Sequence, residues 1–315
     1  MAIKAAKNKH MSPFLLTRTP QNVWTGKRFV FGRAQPRCSS LPEAETPQQM
    51  SSVLLDHFVP PKAPFYPPPR LRPHKTAPPL TTEEIATALS KCSPTSAPGP
   101  DGIPYSIWKK VNNINPSILL QALAPLVTLG YHPAWLKSSN GVVRDKPARP
   151  SYESPSSFRI IVLIRRFSKI LERIIAVRLL TAARLKGLLH PKEWGSLPGL
   201  STYDRCHTLT NDVKTLQRPR LNISSLFLDI KAGFDNVDNN TLARILREGG
   251  IPPYLVCWGP SFLGERSCTL FCQGAPGTPA PINVGAPQGS PISPLLFLLY
   301  VAPLHFRILR GLMIS

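Results

Sequence analysis

Carboxylates are scarce in this chain of 315 residues. Seventeen Asp and Glu stand against 38 Lys and Arg, giving a net charge of +21 and a pI near 10.2. No acid occurs in residues 1–42, none follows Glu265, and no two aspartates are adjacent anywhere. Such a balance excludes an acidic solvating chain and points to a polyanionic partner, with nucleic acid first in line; a basic tail accounts for part of the excess. Long apolar runs are missing too. Nothing approaches the ~20 residues of a membrane span, and the longest run, "LLFLLYVA" between Pro294 and Pro303, reads as a core helix, so no membrane partner is expected. The six cysteines form no CxxC, and Cys268-x3-Cys272 has no nearby His pair. That argues against zinc and for a reduced intracellular protein of the nucleus or cytoplasm. The acid-free start resembles a transit peptide in composition, but Pro13, Pro20 and Pro36 interrupt any long helix there, so mitochondrial targeting is not expected.

Proline, by contrast, is abundant, at 37 residues. Residues 1–80 are basic and increasingly proline-rich, ending in "FVPPKAPFYPPPRLRPHKTAPPL", and read as a largely disordered connector whose one candidate helix is Thr46–Phe58. From 81 the character changes. Thr81 and Glu84 form a capping box at a helix start. Ala97–Gly102 is a Pro/Gly turn before a helix through Trp108. Ile170, Leu171, Ile174, Ile175, Leu179 and Ala183 recur at helical spacing up to Gly187. Further helices are predicted over 201–216 and 240–247 and after "GAPQGSPISP", and strands over Ser225–Ile230, Ser267–Gln273 and Pro281–Val284. The mixed order predicts an α+β domain with a small sheet.

Three segments carry chemistry. In "SLFLDIKAGFDNVD", Asp229 interrupts an apolar strand, where a carboxylate is costly unless a metal or cation pairs with it. A strand-borne Asp beside a backbone carbonyl suits Mg²⁺, and a strand-end cap is an equally open reading. "GAPQGSP", Gly285–Pro291, exposes amides ahead of a helix and could hold a phosphate or sugar, or be an ordinary turn; it has no Lys-Ser/Thr ending and is not a P-loop. Arg159 stands in a serine-rich turn before an apolar strand, where it could grip a triphosphate or simply face solvent.

Taken in order, "SAPGPDGIP", "SPSSFR…FSKILERII", "EWGSLPGLST", "FLDIKAGFD" and "GAPQGSPISPLLFLLY" resemble the successive blocks of the reverse transcriptases of non-LTR (LINE-type) retrotransposons, over 81–315. "DHFVPP" resembles the connector from an upstream endonuclease. The resemblance implies a right-handed polymerase, here fingers and an incomplete palm with no thumb, that adds dNTPs to a DNA primer on an RNA template with Mg²⁺. It implies that Asp229 and the Ile230 carbonyl are metal ligands and that Phe234 is the steric gate against a ribose 2′-OH. Gln288 and Gly289 would line the nucleotide pocket, and Lys146 and Arg159 would bind the triphosphate. Asp235 and Asp238 read as structural or as caps of the 240–247 helix.

The chain departs from that pattern in the fingers. Arg159-Ile160-Ile161 replaces Arg-Pro-Ile, and "VVRDKPARP" replaces an apolar strand with a Lys-Pro-Gly-Lys loop. Arg205 stands where a small residue is usual and is expected to strain packing. The Tyr-x-Asp-Asp hairpin that supplies the second pair of carboxylates has no counterpart. The expectation is a truncated reverse transcriptase, inactive as this chain, whose Asp229 strand keeps an open edge. A non-catalytic basic nucleic-acid-binding fragment is the alternative.

Overall fold

The computed structural model describes residues 41–59, 77–190, 193–217 and 229–312, apart from 148, 150, 194, 196, 200 and 283. Most of the proline-rich segment and residues 218–228 therefore lie outside the described residues.

Helix formation begins inside the expected connector. Thr46 caps α1 (Pro47–Phe58) through a complete capping box with Gln49. Its Met50 and Leu54 are buried against Val143, Phe158, Cys268 and Leu270. Residues 41–58 are thus a folded cover over a sheet, because three-residue apolar spacing gives α1 one face to bury, worth about 1.5–3 kcal/mol per large side chain.

The second capping box forms as expected at α2 (Thr82–Ser90), followed by α3 (Tyr105–Ile114) and α4 (Pro116–Leu129). Strands β1 (Ser138–Asp145) and β2 (Phe158–Ile164) make an antiparallel hairpin leading into α5 (Arg166–Leu185). All six positions of the predicted helical stripe on α5 are buried. Then come α6 (Thr202–Gln217), α7 (Asn239–Glu248), α8 (Pro253–Leu263), strands β3 (Arg266–Cys272), β4 (Ala275–Pro276) and β5 (Ala280–Ile282), and α9 (Ser293–Leu312). Asp238 caps α7, its Oδ1 accepting from the Thr241 amide at 2.7 Å.

The sheet runs β2-β1-β3-β4, with β5 also on β3. β1 joins β3 in parallel, from Ser138 opposite Ser267 to Val142 opposite Phe271. The helices other than α1 and α6 contribute to one large core that includes Leu123, Ile170, Leu246, Leu263, Leu296 and Leu299.

Two expectations fail. The predicted strand does not extend through Asp229 and Ile230: both are coil, and a turn follows at once, with Ala232 at a φ of +51°. Residues 225–228 of that strand fall outside the described set. Arg205 strains nothing, because it lies exposed on α6. The run "LLFLLYVA" is helical as expected, and its flanking Pro303 lies within the same helix.

Candidate functional site

Everything in the site is arranged around the loop from Gly285 to Pro291, which three neighbours hold. On one side it is stitched to the turn that follows Asp229: the Ala286 amide donates to the Phe234 carbonyl at 2.7 Å and the Gly285 amide to the Val237 carbonyl at 3.1 Å. On the other side the Val162 amide of β2 donates to the Gln288 carbonyl at 2.9 Å. Underneath, Ser290 reaches into the core.

Two glycines make this approach possible. Gly285 has a φ of +85°, and a Cβ there would stand 2.8 Å from the Asp235 carbonyl oxygen. Gly289 has a φ of +120°, and its Cβ would stand 2.7 Å from the Val162 carbonyl oxygen. Only glycine reaches such backbone angles freely and lets two main chains come this close.

Phe234 sits half-buried in a 3₁₀ turn, Phe234–Asn236, its ring stacked on Phe297 of α9 with centroids 5.0 Å apart. Asp235 is next. Gln288 Nε2 donates to Asp235 Oδ1 at 3.4 Å. Burial pushes the Asp235 carboxyl up, and the Gln288 hydrogen bond and the charges of Lys146 and His57 draw it part of the way back. A cavity of about 60 Å³ opens here, lined by Asp235, Gln288, Ile160, Val162 and, at the end of α1, Phe58 and the following Val59. A larger one, about 460 Å³, lies between α2, α5 and the start of α9 and contains none of the predicted residues.

Lys146 and Arg159 belong to the β1–β2 hairpin. Lys146 Nζ donates to the Ser156 carbonyl at 2.8 Å, and Arg159 is exposed directly across from Arg144. Two like charges in register repel one another unless an anion lies between or above them.

Asp229 is exposed, and Ile230 beside it is 45% exposed. The burial cost that first singled out Asp229 is therefore absent. Among the described residues no group of three His, Cys, Asp or Glu side chains comes together as a metal site. Asp229 and the Ile230 carbonyl offer two ligand groups, and one oxygen of Asp235 accepts from Gln288. A resident Mg²⁺ needs near-octahedral oxygen coordination, so these residues alone do not fit one.

Sequence reasoning missed the support beneath the loop. Glu172 of α5 is 0% exposed and accepts from both Ser168 and Ser290. Its signal was positional: 168, 172, 175 and 179 share one helical stripe, so an acid at 172 had to face the core.

Residues 144–314 match the family described as reverse transcriptase (RNA-dependent DNA polymerase). The chain is 30% identical over 217 residues, 69% of its length and 24% of the relative's, to a probable RNA-directed DNA polymerase from transposon X-element of Drosophila melanogaster. To the RNA-directed DNA polymerase from mobile element jockey of the same fly it is 27% identical over 232 residues, covering 72% and 25%. To the Pol polyprotein of type-1 retrotransposable element R2 of Popillia japonica it is 26% identical over 223 residues, covering 70% and 29%. The chain spans about a quarter of the length of such relatives. The matched span holds β2, the Asp229–Asn236 turn and the Gly285–Pro291 loop, and by it the chain belongs to the reverse transcriptase family, on the branch carried by non-LTR retrotransposons.

Proposed function

We propose that residues 81–315 carry fingers and palm segments of a retrotransposon RNA-directed DNA polymerase, and that this chain by itself binds RNA template, DNA primer and dNTP without joining nucleotides. The observation that carries the reading is the stitching of the Gly285–Pro291 loop between β2 and the Phe234 turn, which gathers segments that sequence alone left far apart. In this arrangement Gln288 and Gly289 line the nucleotide pocket, and Phe234 stands at its wall as the gate against a 2′-OH. Arg159 and Lys146 meet the triphosphate from the hairpin. The net charge of +21 supports backbone contacts with template and primer.

Asp229 and the Ile230 carbonyl are one part of the ligand set for the divalent metal the family uses, expected to be Mg²⁺. Two ligand groups do not complete that set, and no acid follows Glu265 in this chain to add to it. The absence of turnover follows from that shortage of carboxylates.

Fluorescence anisotropy with a labelled RNA–DNA hybrid, alongside primer extension in Mg²⁺ or Mn²⁺, tests both halves. The expected outcome is affinity that falls steeply from about 50 to 200 mM salt, with no extension. Salt-independent binding would overturn the nucleic-acid assignment, and incorporation lost in Asp229→Asn would overturn the inactivity. The same charge also favours a simpler reading, a basic nucleic-acid-binding fragment with no nucleotide pocket. Binding of dNTP that weakens in Arg159→Ala separates the two in favour of the first.

A further inference from the structure

One buried acid is not used by that reading. Glu172 lies on the core-facing side of α5, fully enclosed, and its two carboxylate oxygens are divided between two places in the chain. Ser168, one turn earlier on the same helix, donates to Oε1 at 2.5 Å. Ser290, 118 residues further on and inside the Gly285–Pro291 loop, donates to Oε2 at 2.5 Å. Ser290 Oγ also accepts from the Ile292 amide at 3.3 Å, at the entrance to α9.

Burial pushes the Glu172 carboxyl up, and the hydrogen bonds from Ser168 and Ser290 and the charges of Lys169 and Arg266 draw it part of the way back. His132 Nε2 lies 3.3 Å from Ser168 Oγ, so that serine has an alternative partner. An enclosed carboxylate with two hydroxyl donors is expensive to leave half-satisfied. A polar group needed only to fill the core could have been served by donors from its own helix. Here one oxygen reserves its donor from the loop.

We propose that Glu172 is a positioning residue for the candidate nucleotide pocket: through Ser290 it holds the Gly285–Pro291 loop against β2, and so fixes where Gln288 and Gly289 stand. The loop's other ties are main-chain bonds at Phe234, Val237 and Val162 and a long side-chain bond from Gln288 to Asp235, all at its entrance and middle. The Glu172–Ser290 bond secures its exit. Without it the segment from Pro287 to Ser290 can lift from β2 while α5 keeps its packing. The role in nucleotide binding rests on the function proposed above; the holding of the loop does not.

Hydrogen exchange of the full chain, with no ligand added, reads the loop directly. Ser290→Ala should speed exchange of the Val162 amide and of amides in 285–292 by about tenfold or more, the effect expected on leaving a buried acceptor without its donor. Ser168→Ala should leave those amides as they are. Glu172→Gln should keep them protected as well, because its carbonyl can accept from Ser290 while its amide donates to Ser168. Equal acceleration in both serine variants, or an unchanged loop in Ser290→Ala, would overturn the proposal even if Glu172→Leu fails to fold. A second readout tests the functional consequence: dNTP affinity should drop in Ser290→Ala and recover in Glu172→Gln. If the wild-type chain binds no dNTP, the proposed function fails, and exchange still decides the holding role.

Discussion

Replacing Gly289 with alanine perturbs the site at one atom, and the structure sets the size of the effect. The φ of +120° is one that L-residues avoid, at a cost of about 1–3 kcal/mol. The new Cβ would also stand 2.7 Å from the Val162 carbonyl oxygen, which is main chain and cannot rotate aside. Reaching ordinary contact near 3.4 Å needs a retreat of about 0.7 Å. The Val162 amide points to the same side of β2, so its 2.9 Å bond to the Gln288 carbonyl lengthens beyond useful range and about 1 kcal/mol more is lost. The sum is about 2–4 kcal/mol. Gly102→Ala is the control: its φ is +66° and nothing stands within 4 Å, so only backbone strain of about 1–2 kcal/mol remains. Urea unfolding of the two variants, with exchange at the Val162 amide, measures the difference. Gly289→Ala should be the less stable and should alone lose protection at Val162. Equal destabilisation with Val162 still protected would refute the close approach of loop and strand.

Three other outcomes follow from the same chemistry. Arg178 forks onto Glu84, Nε to Oε1 and Nη2 to Oε2 at 2.7 Å each, and Glu84 also closes the α2 capping box, so Glu84→Ala should lose about 2–3 kcal/mol in denaturant unfolding. Burial alone would raise the Glu84 carboxyl, but the Arg178 hydrogen bond and charge and the Thr81 amide bring it below its ordinary 4.5. Its contribution is therefore whole above that value, and the gap between wild type and variant should close as pH falls through the lowered pKa. Burial draws Lys169 down to about 8 from 10.5; between those values the unfolded chain holds more protons, so stability gains an upward slope with pH, at most about 1.4 kcal/mol per unit, that Lys169→Met should remove. Arg159→Ala should reduce the slope of log affinity against log salt for an RNA–DNA hybrid by about 1, and an unchanged slope would remove Arg159 from the nucleic-acid surface.

The elements readable from sequence were those with one apolar face and marked ends. α2 and α5 announced themselves by a capping box and by a stripe of six positions. α8 did not: its "PYLVCWGPSFL" is apolar on nearly every side and contains Pro260, so it shows no periodicity. β1 was obscured by Ser138, Asn140 and Gly141, residues poor in strand propensity. A Cβ at Gly141 would meet the Leu270 side chain on the neighbouring strand, so an alanine there needs Leu270 to shift, a constraint from a residue 129 positions away. The site divides in the same way. The residues of the Gly285–Pro291 loop and the Phe234 turn were visible from their composition and order. Their joining by main-chain bonds, and the use of Glu172 beneath them, depend on contacts across the fold that no local pattern encodes.

The parallel pairing of β1 with β3 sets an order of assembly. Ser138–Val142 find their partners at Ser267–Phe271. During synthesis the β1–β2 hairpin therefore exists for more than a hundred residues before the strand that completes its sheet has left the ribosome. Until then β1 exposes a free edge beside apolar side chains, and α1 has only half of its binding surface. Such long-range closure is slow and leaves nascent chains open to association. Nascent chains arrested before residue 266 should behave as aggregation-prone intermediates, while those extended past Ile282 gain the sheet in one step.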